Sequence, residues 1–207
     1  MDRKKIIVRD ATAQDTHYAE KICTLIFESA QQRGTGIARR TPEYIGEKMT
    51  SGKAVVALYG DRIVGFSYIE TWSHGDFVAT SGLIVDPECR GMGIATRIKE
   101  ETFRLARTKY PKAKIFSITT SLAVMKLNTR LGYQPVTFSE LTQDDEYWKG
   151  CEGCINYDIL VRTHRDKCLC NGMLFDPAQQ AQGKKNGGLK PYIMAAANWF
   201  KNLTLKK

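Results

Sequence analysis

The sequence has no apolar run long enough to span a membrane and no N-terminal segment typical of secretion. Its first apolar run, Ile6–Val8, has three residues, whereas a membrane-spanning helix needs roughly 20. It also has no internal repeat and no long low-complexity segment. These absences exclude an integral membrane protein and a repeat array, and they predict a cytoplasmic protein with no membrane partner.

The charge is not concentrated where a nucleic-acid surface would need it. The formal net charge is +9, but residues 171–207 alone carry six lysines and one acidic residue. More than half of the excess therefore lies in the C-terminal tail, and we predict no nucleic-acid partner. A modestly basic core still suits a ligand with several phosphates. The 207 residues fit one domain with an appendage.

Two common phosphate-binding motifs are missing. No glycine-rich loop ends in Lys-Ser or Lys-Thr, and none has the spacing Gly-x-Gly-x-x-Gly. The chain has instead Arg90–Ala95, read Arg-Gly-Met-Gly-Ile-Ala, between a strand that ends in Val-Asp-Pro and a helix. Apolar residues at helical spacing predict that helix, with Lys99 on its outward, polar side. Small residues leave the amides of a helix N-terminus open to an anion.

This Arg-x-x-Gly-x-Ala loop resembles the coenzyme A loop of the GCN5-related N-acetyltransferase (GNAT) family. The resemblance implies that the loop amides hold the pyrophosphate of acetyl-CoA and that the preceding strand hydrogen-bonds its pantetheine arm. The residues then expected to contact acetyl-CoA are Leu83, Ile84, Val85, Arg90, Gly91, Met92, Gly93, Ile94, Ala95 and Thr96.

A second segment, Ser121–Tyr133, is similar to the family pattern Asn-x-x-Ala-x-x-Leu-Tyr-x-x-x-Gly-Phe. Asn128 stands where the family often has a tyrosine that protonates the departing thiolate. It can donate a hydrogen bond to the sulfur or the pantetheine arm but cannot act as an acid, so we expect water to deliver the proton. The resemblance covers residues 5–162 and implies an α/β GNAT acyl-CoA N-acyltransferase fold, with a mixed, mostly antiparallel sheet flanked by helices.

The sequence pattern predicts the elements that such a fold needs. It places an acetyltransferase domain in residues 1–162 and helices at about 13–33, from Pro42 to near Gly52, and at 122–131. The predicted strands are Lys5–Arg9, Ala54–Tyr59, Ile63–Trp72, Phe77–Val85, Lys114–Thr119, Val136–Leu141 and Tyr157–Val161.

Catalysis by direct transfer requires a base, because an ammonium group has no free electron pair. We predict Glu70 on the third strand as that base, with His74 in the following turn as a weaker alternative. A strand N–H near Leu83–Val85 would stabilise the oxyanion.

Cysteines mark the segment that follows the domain. Residues 148–177 form a cysteine-rich extension that overlaps the predicted last strand. Its spacing predicts a structural zinc site at Cys151, Cys154, Cys168 and Cys170. His164 is an alternative ligand, and four unconnected thiols are the alternative interpretation. Residues 178–207 are predicted to be a linker and a short amphipathic helix, Pro191–Leu203, which could dock on the domain or on a second subunit as in a homodimer.

The acceptor is predicted from a basic loop between the first two helices. Arg33, Arg39 and Arg40 accompany two glycines there, and arginine matches a carboxylate through paired hydrogen bonds. Arg39 and Arg40 are the predicted substrate residues, and a glutamate-like amino acid is the favoured acceptor. The chain also resembles small bacterial N-acetylglutamate synthase-like acetyltransferases of arginine biosynthesis. A protein lysine acetyltransferase and a non-catalytic acetyl-CoA sensor are the alternatives.

Overall fold

The computed structural model describes residues 3–33 and 40–185. The chain divides into two units, residues 1–175 and 176–207. The strands are β1 (Ile6–Asp10), β2 (Ala54–Tyr59), β3 (Arg62–Trp72), β4 (Phe77–Val85), β5 (Lys114–Thr119), β6 (Gln134–Val136) and β7 (Asn171–Phe175). The helices are α1 (Ala19–Arg33), α2 (Pro42–Thr50), α3 (Ile94–Lys109), α4 (Leu122–Arg130), α5 (Asp145–Lys149), α6 (Tyr157–Arg162) and α7 (Pro177–Lys185).

The seven strands form one sheet in the order β1-β2-β3-β4-β5-β7-β6. Every neighbouring pair is antiparallel except β4 and β5, which are parallel. The α/β fold with a mixed, mostly antiparallel sheet is therefore confirmed. Strands β2, β4 and β5 have the predicted bounds, and α2 begins as predicted, with Thr41 Oγ1 accepting the N–H of Tyr44 at 3.2 Å.

Helices cover both faces of the sheet. Successive side chains of a strand point to opposite faces, and those of β2 divide in this way. Val55 and Ala57 belong to a core with residues of α3, whereas Val56 and Leu58 belong to a core with residues of α1 and α2. Burial on both faces explains why the β2 sequence, Ala-Val-Val-Ala-Leu-Tyr, is continuously apolar.

The cysteine-rich extension contributes a third core. Trp148 and Leu160 pack with Ala79 of β4, Phe116 of β5 and Leu174 of β7. Val78, the neighbour of Ala79 on β4, belongs to the α3 core. Since neighbouring side chains of a strand point to opposite faces, the extension lies on the face that α1 and α2 also cover. The extension is therefore beside the second half of the sheet.

Two strand predictions were wrong. Tyr157–Val161 is helical, within α6, where Leu160 is buried while Val161 is 54% exposed. Short apolar runs do not distinguish a helix from a strand by periodicity alone. Only the start of the predicted strand Val136–Leu141 is extended, because residues 138–140 form a 3-10 turn. The last strand along the chain is instead β7, which pairs with both β5 and β6.

The second unit begins with a helix where the sequence predicted a linker. Asp176 Oδ1 accepts the N–H of Ala178 at 2.8 Å, and Pro177 occupies the first position of α7, which suits a helix start. The predicted helix Pro191–Leu203 lies outside the described residues. Among the residues that are described, no helix is long and apolar enough to cross a membrane.

Candidate active site

The central feature of the sheet is the opening between β4 and β5. These strands pair only through Phe77–Ala79 and Lys114–Phe116. Beyond that point β4 continues for six residues, through Val85, paired with β3 alone, and β5 continues through Thr119 paired with β7. Two parallel strands that separate in this way leave backbone groups free along a narrow cleft, where an extended molecule can lie.

A β-bulge lies on the β4 side of this opening. Ser81 pairs with Tyr68 and Ile84 with Phe66, so that two residues of β4 face the single residue Ser67. One of the two is Gly82, whose φ of +66° is left-handed, and a Cβ there would lie 2.6 Å from the Tyr68 ring. A bulge leaves an extra residue without its ladder hydrogen bonds. It can therefore leave a backbone N–H free on β4. The predicted oxyanion donors, in Leu83–Val85, begin at this bulge.

The predicted phosphate loop connects β4 to α3. Gly91 and Gly93 have left-handed φ angles of +80° and +75°, and Gly93 is the N-cap of α3. The first N–H groups of a helix, here those of Ile94, Ala95 and Thr96, have no intrahelical acceptor. Gly93 has no side chain that could cap them. The Arg3 guanidinium lies beside the loop, with Nη2 2.9 Å from the position of a Cβ on Gly93. Arg90 is exposed in the same loop, whereas Met92 packs against the α3 core. The Arg3 guanidinium thus lies beside the N-terminus of α3, an arrangement that favours an anion.

On the face covered by α1 and α2, Glu70 is held by two residues of α2. Lys48 Nζ lies 2.7 Å from Glu70 Oε1, and the Tyr44 hydroxyl donates to both carboxylate oxygens at 2.8 Å. Lys48 also lies over the Tyr44 ring, 4.3 Å from its centroid. The Glu70 side chain remains 20% exposed. It is therefore a fixed, partly accessible carboxylate on the strand next to the bulged one.

Arg40 lies beside this carboxylate group. Its Nε donates to the Tyr68 hydroxyl at 2.7 Å, and its guanidinium lies 5.2 Å and 5.8 Å from the ring centroids of Tyr44 and Tyr68. These contacts fix the guanidinium beside the Tyr44 and Tyr68 rings, on the face covered by α1 and α2. Arg39, the other predicted substrate residue, lies outside the described residues. His74, the alternative base, is exposed in the turn after β3, away from the Glu70 group.

On the opposite, α3 face, the opening is lined by buried polar side chains. Asn128 of α4 donates through Nδ2 to Ser117 Oγ at 2.8 Å. Lys99 Nζ donates to Thr80 Oγ1 at 2.7 Å. The expected outward position of Lys99 was wrong, since this residue is 3% exposed. Burial lowers the pKa of Lys99 to about 7, because desolvation disfavours the charged form.

The four predicted zinc ligands come together in the extension. Cys151, Cys154, Cys168 and Cys170 all line one small cavity of about 20 Å³. Burial raises the pKa of Cys151 to about 11 and that of Cys170 to about 12. Within residues 3–33 and 40–185, however, no three His, Cys, Asp or Glu side chains are arranged so that they could hold a metal ion. The predicted zinc site is therefore not confirmed, and His164 is exposed and outside the cysteine cavity.

Comparison with protein families decides the assignment of this architecture. The model described as the Acetyltransferase (GNAT) family matches residues 24–133, more than half of the chain. The chain belongs to the GNAT family. The predicted acetyl-CoA-dependent N-acetyltransferase is confirmed at the level of this family. In a GNAT protein the β4–β5 opening and the glycine loop are the parts expected to receive acetyl-CoA.

Several solved structures share the GNAT fold of this chain. N-acetylglutamate synthase from Neisseria gonorrhoeae, complexed with coenzyme A and N-acetyl-glutamate, has 16% identity and a TM-score of 0.59, over 83% of this chain and 35% of that chain. Rv2747 from Mycobacterium tuberculosis, in complex with CoA, has 19% identity and a TM-score of 0.58, over 82% and 98% of the two chains. Phosphinothricin acetyltransferase from Sinorhizobium meliloti, in complex with AcCoA, has 16% identity and a TM-score of 0.55, over 83% and 88%. These similarities show the fold. The comparison with curated protein sequences found no match.

Three residues that surround Glu70 and Arg40 were not predicted from the sequence. Tyr44 and Lys48 are four residues apart on α2, and Tyr68 is two residues from Glu70 on β3. These spacings put each pair on one face of its helix or strand. That shared face is the sequence signal that could have pointed to these residues. What they meet across the fold depends on tertiary structure.

Proposed function

We propose that this GNAT enzyme transfers the acetyl group of acetyl-CoA to the primary amine of a small acidic amino acid, with glutamate as the favoured acceptor. The observation that carries the proposal is the group of Arg40, Tyr44, Lys48, Tyr68 and Glu70 beside the cleft. It combines a fixed carboxylate that can accept a proton with a guanidinium that can bind a substrate carboxylate. The gonococcal synthase with bound N-acetyl-glutamate supports the same acceptor class, although this chain spans 35% of its length.

The mechanism is direct transfer between two bound substrates. Glu70 takes the proton of the acceptor ammonium, and the freed amine attacks the thioester carbon. The bulge at Gly82–Leu83 offers a backbone N–H for the oxyanion, as a preorganised donor. The oxyanion collapses as the carbon–sulfur bond breaks, the nitrogen loses its second proton to water, and the coenzyme A thiolate takes up a proton. The amide and coenzyme A then separate. Holding both substrates in one cleft supplies much of the acceleration.

The function is tested by coenzyme A release across amino acids, polyamines and lysine peptides. Glutamate should give the highest kcat/KM, glutamine a lower value because it lacks the side-chain carboxylate, and polyamines little turnover. Preference for lysine peptides would favour a protein lysine acetyltransferase. Acetyl-CoA binding without turnover on any acceptor would favour a sensing protein.

Arg40→Ala should raise KM for the acidic acceptor by roughly 10-fold to 100-fold, which corresponds to the loss of charged hydrogen bonds of about 1.5–3 kcal/mol. KM for acetyl-CoA should change less than twofold, because the guanidinium lies on the acceptor face. Steady-state kinetics with each substrate varied in turn would measure both values. Arg130→Ala, at an exposed position of α4, is the control and should match the wild type. Unaltered acceptor kinetics in Arg40→Ala would contradict the assignment.

We further propose that the extension binds one structural zinc ion through its four cysteines. Their gathering around one cavity supports this, as does the N–H of Asn156, which donates to Cys154 Sγ at 3.4 Å. Side-chain rotation would be needed to bring the sulfurs into tetrahedral contact. Four thiolates would leave no open position for water, so the ion would stabilise the fold and take no part in catalysis.

Protein purified without chelators should contain about one equivalent of zinc by elemental analysis. Cys151→Ser and Cys168→Ser should lose the metal and melt at a lower temperature, because a structural metal site contributes folding energy. Cys23→Ser, in α1 and outside the cavity, should keep both. Metal-free protein with all six thiols freely titratable would exclude the site.

A further inference from the structure

The polar side chains on the α3 face lie where β4 and β5 separate. Thr80 and Ser117 are the first residues of the two strands beyond their last pair. Each receives a hydrogen bond from a helix that covers this face. Lys99 of α3 donates to Thr80, and Asn128 of α4 donates to Ser117. At the apex of the cleft, Lys99 therefore donates to the β4 side and Asn128 to the β5 side.

Lys99 is unusual among these residues because it is a buried cation. No carboxylate of the described residues lies within ion-pair distance of Nζ. The titratable neighbour that faces it is Tyr133, whose ring centroid is 5.2 Å from Nζ. Its hydrogen-bond acceptor is the neutral hydroxyl of Thr80, which in turn donates to the Phe116 carbonyl at 3.3 Å. A lysine that loses hydration without a counter-ion is costly in its charged form. A residue of this kind exchanges its proton near neutral pH, where an efficient proton donor should titrate.

One polar atom of the same buried group has no hydrogen-bond partner among the described residues. It is Asn128 Oδ1, on a side chain that is 0% exposed. Buried polar atoms in folded proteins are nearly always paired. This unpartnered oxygen, on the side chain that donates to Ser117 where the strands separate, therefore indicates that the layer is built to meet a polar group or water in the occupied cleft.

The transfer reaction needs an acid on this side. When the carbon–sulfur bond breaks, coenzyme A leaves as a thiolate that must take up a proton, and the amide of Asn128 cannot supply one. We propose that Lys99, acting through the hydroxyl of Thr80, supplies that proton. Lys99 touches no substrate in this scheme and is a positioning residue in the proton path. The inference rests on the proposed acetyl transfer but not on the identity of the amine.

The proton path balances over one turnover. The Thr80 hydroxyl turns away from the Phe116 carbonyl, to which it donates at 3.3 Å, and the thiolate takes its proton. The Lys99 ammonium then donates a proton to Thr80 Oγ1 along their existing hydrogen bond. Lys99 is then neutral, and it regains a proton from solvent after coenzyme A has left the cleft. The acceptor ammonium loses two protons as it becomes an amide. One leaves through Glu70 before the attack, and the other passes to water as the oxyanion collapses, so that one proton is released in net over the turnover. The tyrosine alternative is weaker, because burial raises the pKa of Tyr133 and the phenol holds its proton more firmly.

Lys99→Met and Thr80→Val test the path, assayed with whichever amine the wild type turns over. Both should lower kcat at least 10-fold and change KM for acetyl-CoA less than twofold. Because the ammonium is the donating form, wild-type kcat should fall as pH rises through the pKa of Lys99. That descending limb should be absent from both variants. Thr80→Ser keeps the hydroxyl and should retain at least half of the wild-type kcat together with the limb.

Thr102→Val is the matched control. It also removes a buried threonine hydroxyl, but this one lies on α3 and donates to the Ile98 carbonyl. It should leave kcat and the pH profile unaltered. Equal kcat and pH profiles in Lys99→Met and wild type would overturn the inference, as would Thr80→Ser behaving like Thr80→Val. An acetylated Lys99 peptide in mass spectra would also overturn it, because Lys99 would then accept the acetyl group. Failure of the proposed function is distinguishable, since the wild type would turn over no amine.

Discussion

Replacing Gly93 by valine should reduce acetyl-CoA affinity at least ~100-fold, because several charged hydrogen bonds from the loop, each worth roughly 1.5–3 kcal/mol, would be lost together. Gly93 is the left-handed N-cap of α3, and a Cβ there would already meet the Arg3 guanidinium at 2.9 Å. A branched side chain would fill the space proposed for the pyrophosphate. Titration calorimetry with acetyl-CoA measures the change.

The variant also strains the backbone, so its effect on folding must be separated from its effect on binding. A β-branched residue with positive φ costs about 1–2 kcal/mol. Gly60→Val carries the same strain at φ +56°, in the β2–β3 turn, where a Cβ would meet no atom within 4 Å. Both variants should melt at similarly lowered temperatures, and only Gly93→Val should lose acetyl-CoA. Wild-type affinity in Gly93→Val would remove the loop from its assigned role.

Local chemistry made the tight turn between β4 and α3 predictable. The loop from Arg90 to Ala95 is one continuous segment, and its glycines, the preceding Asp-Pro and the following helix are all visible in sequence. The positive φ angles of Gly91 and Gly93 agree with that prediction. The bulge at Gly82 was not predictable, because it depends on how β4 registers against β3, including the contact between Gly82 and the Tyr68 ring.

Long-range contacts explain the parts that the sequence did not reveal. Lys48 and Glu70 are 22 residues apart in sequence and meet at 2.7 Å only because α2 packs beside β3. Lys99 was assigned to solvent because lysine usually marks an exposed face. The buried surface of α3 is wider than its apolar stripe, however, and it includes both Lys99 and Thr102. A polar residue inside a buried layer breaks the binary pattern, and such exceptions are expected at functional sites.

The wrong strand prediction in the cysteine-rich extension also has a long-range cause. Tyr157–Val161 ends in a short apolar run with two β-branched residues, yet the sheet takes Asn171–Phe175 instead. β7 can pair with β5 on one side and β6 on the other, which satisfies both edges of the strand. From α6, Leu160 is buried in the core and Tyr157 packs against it. Pairing partners, which a single sequence does not contain, decided between the two segments.

Glu70→Gln should lower kcat by ~100-fold or more, the usual contribution of a general base. The substitution keeps the shape of the side chain and an oxygen for the Tyr44 hydroxyl, but it removes the group that accepts the amine proton. KM for acetyl-CoA should change less than twofold, since the loop and β4 are untouched. Lys48 would lose its ion-pair partner, so we expect a stability loss of about 1–3 kcal/mol, and assays should be run well below the melting temperature.

Glu47→Gln provides the matched control for this variant. Glu47 Oε1 lies 3.9 Å from Lys48 Nζ, but its side chain is 70% exposed on α2. The control removes a carboxylate near the same lysine without touching the proposed base, so its kcat should equal that of the wild type. If Glu70→Gln kept kcat within threefold at saturating acceptor, Glu70 would not be the base. Its role would then be limited to the ion pair with Lys48. The amine would then have to lose its proton to another group or directly to water. If the two variants lost kcat equally, the charge balance around Lys48 would control turnover, because Glu47 is not positioned to take a proton from the acceptor.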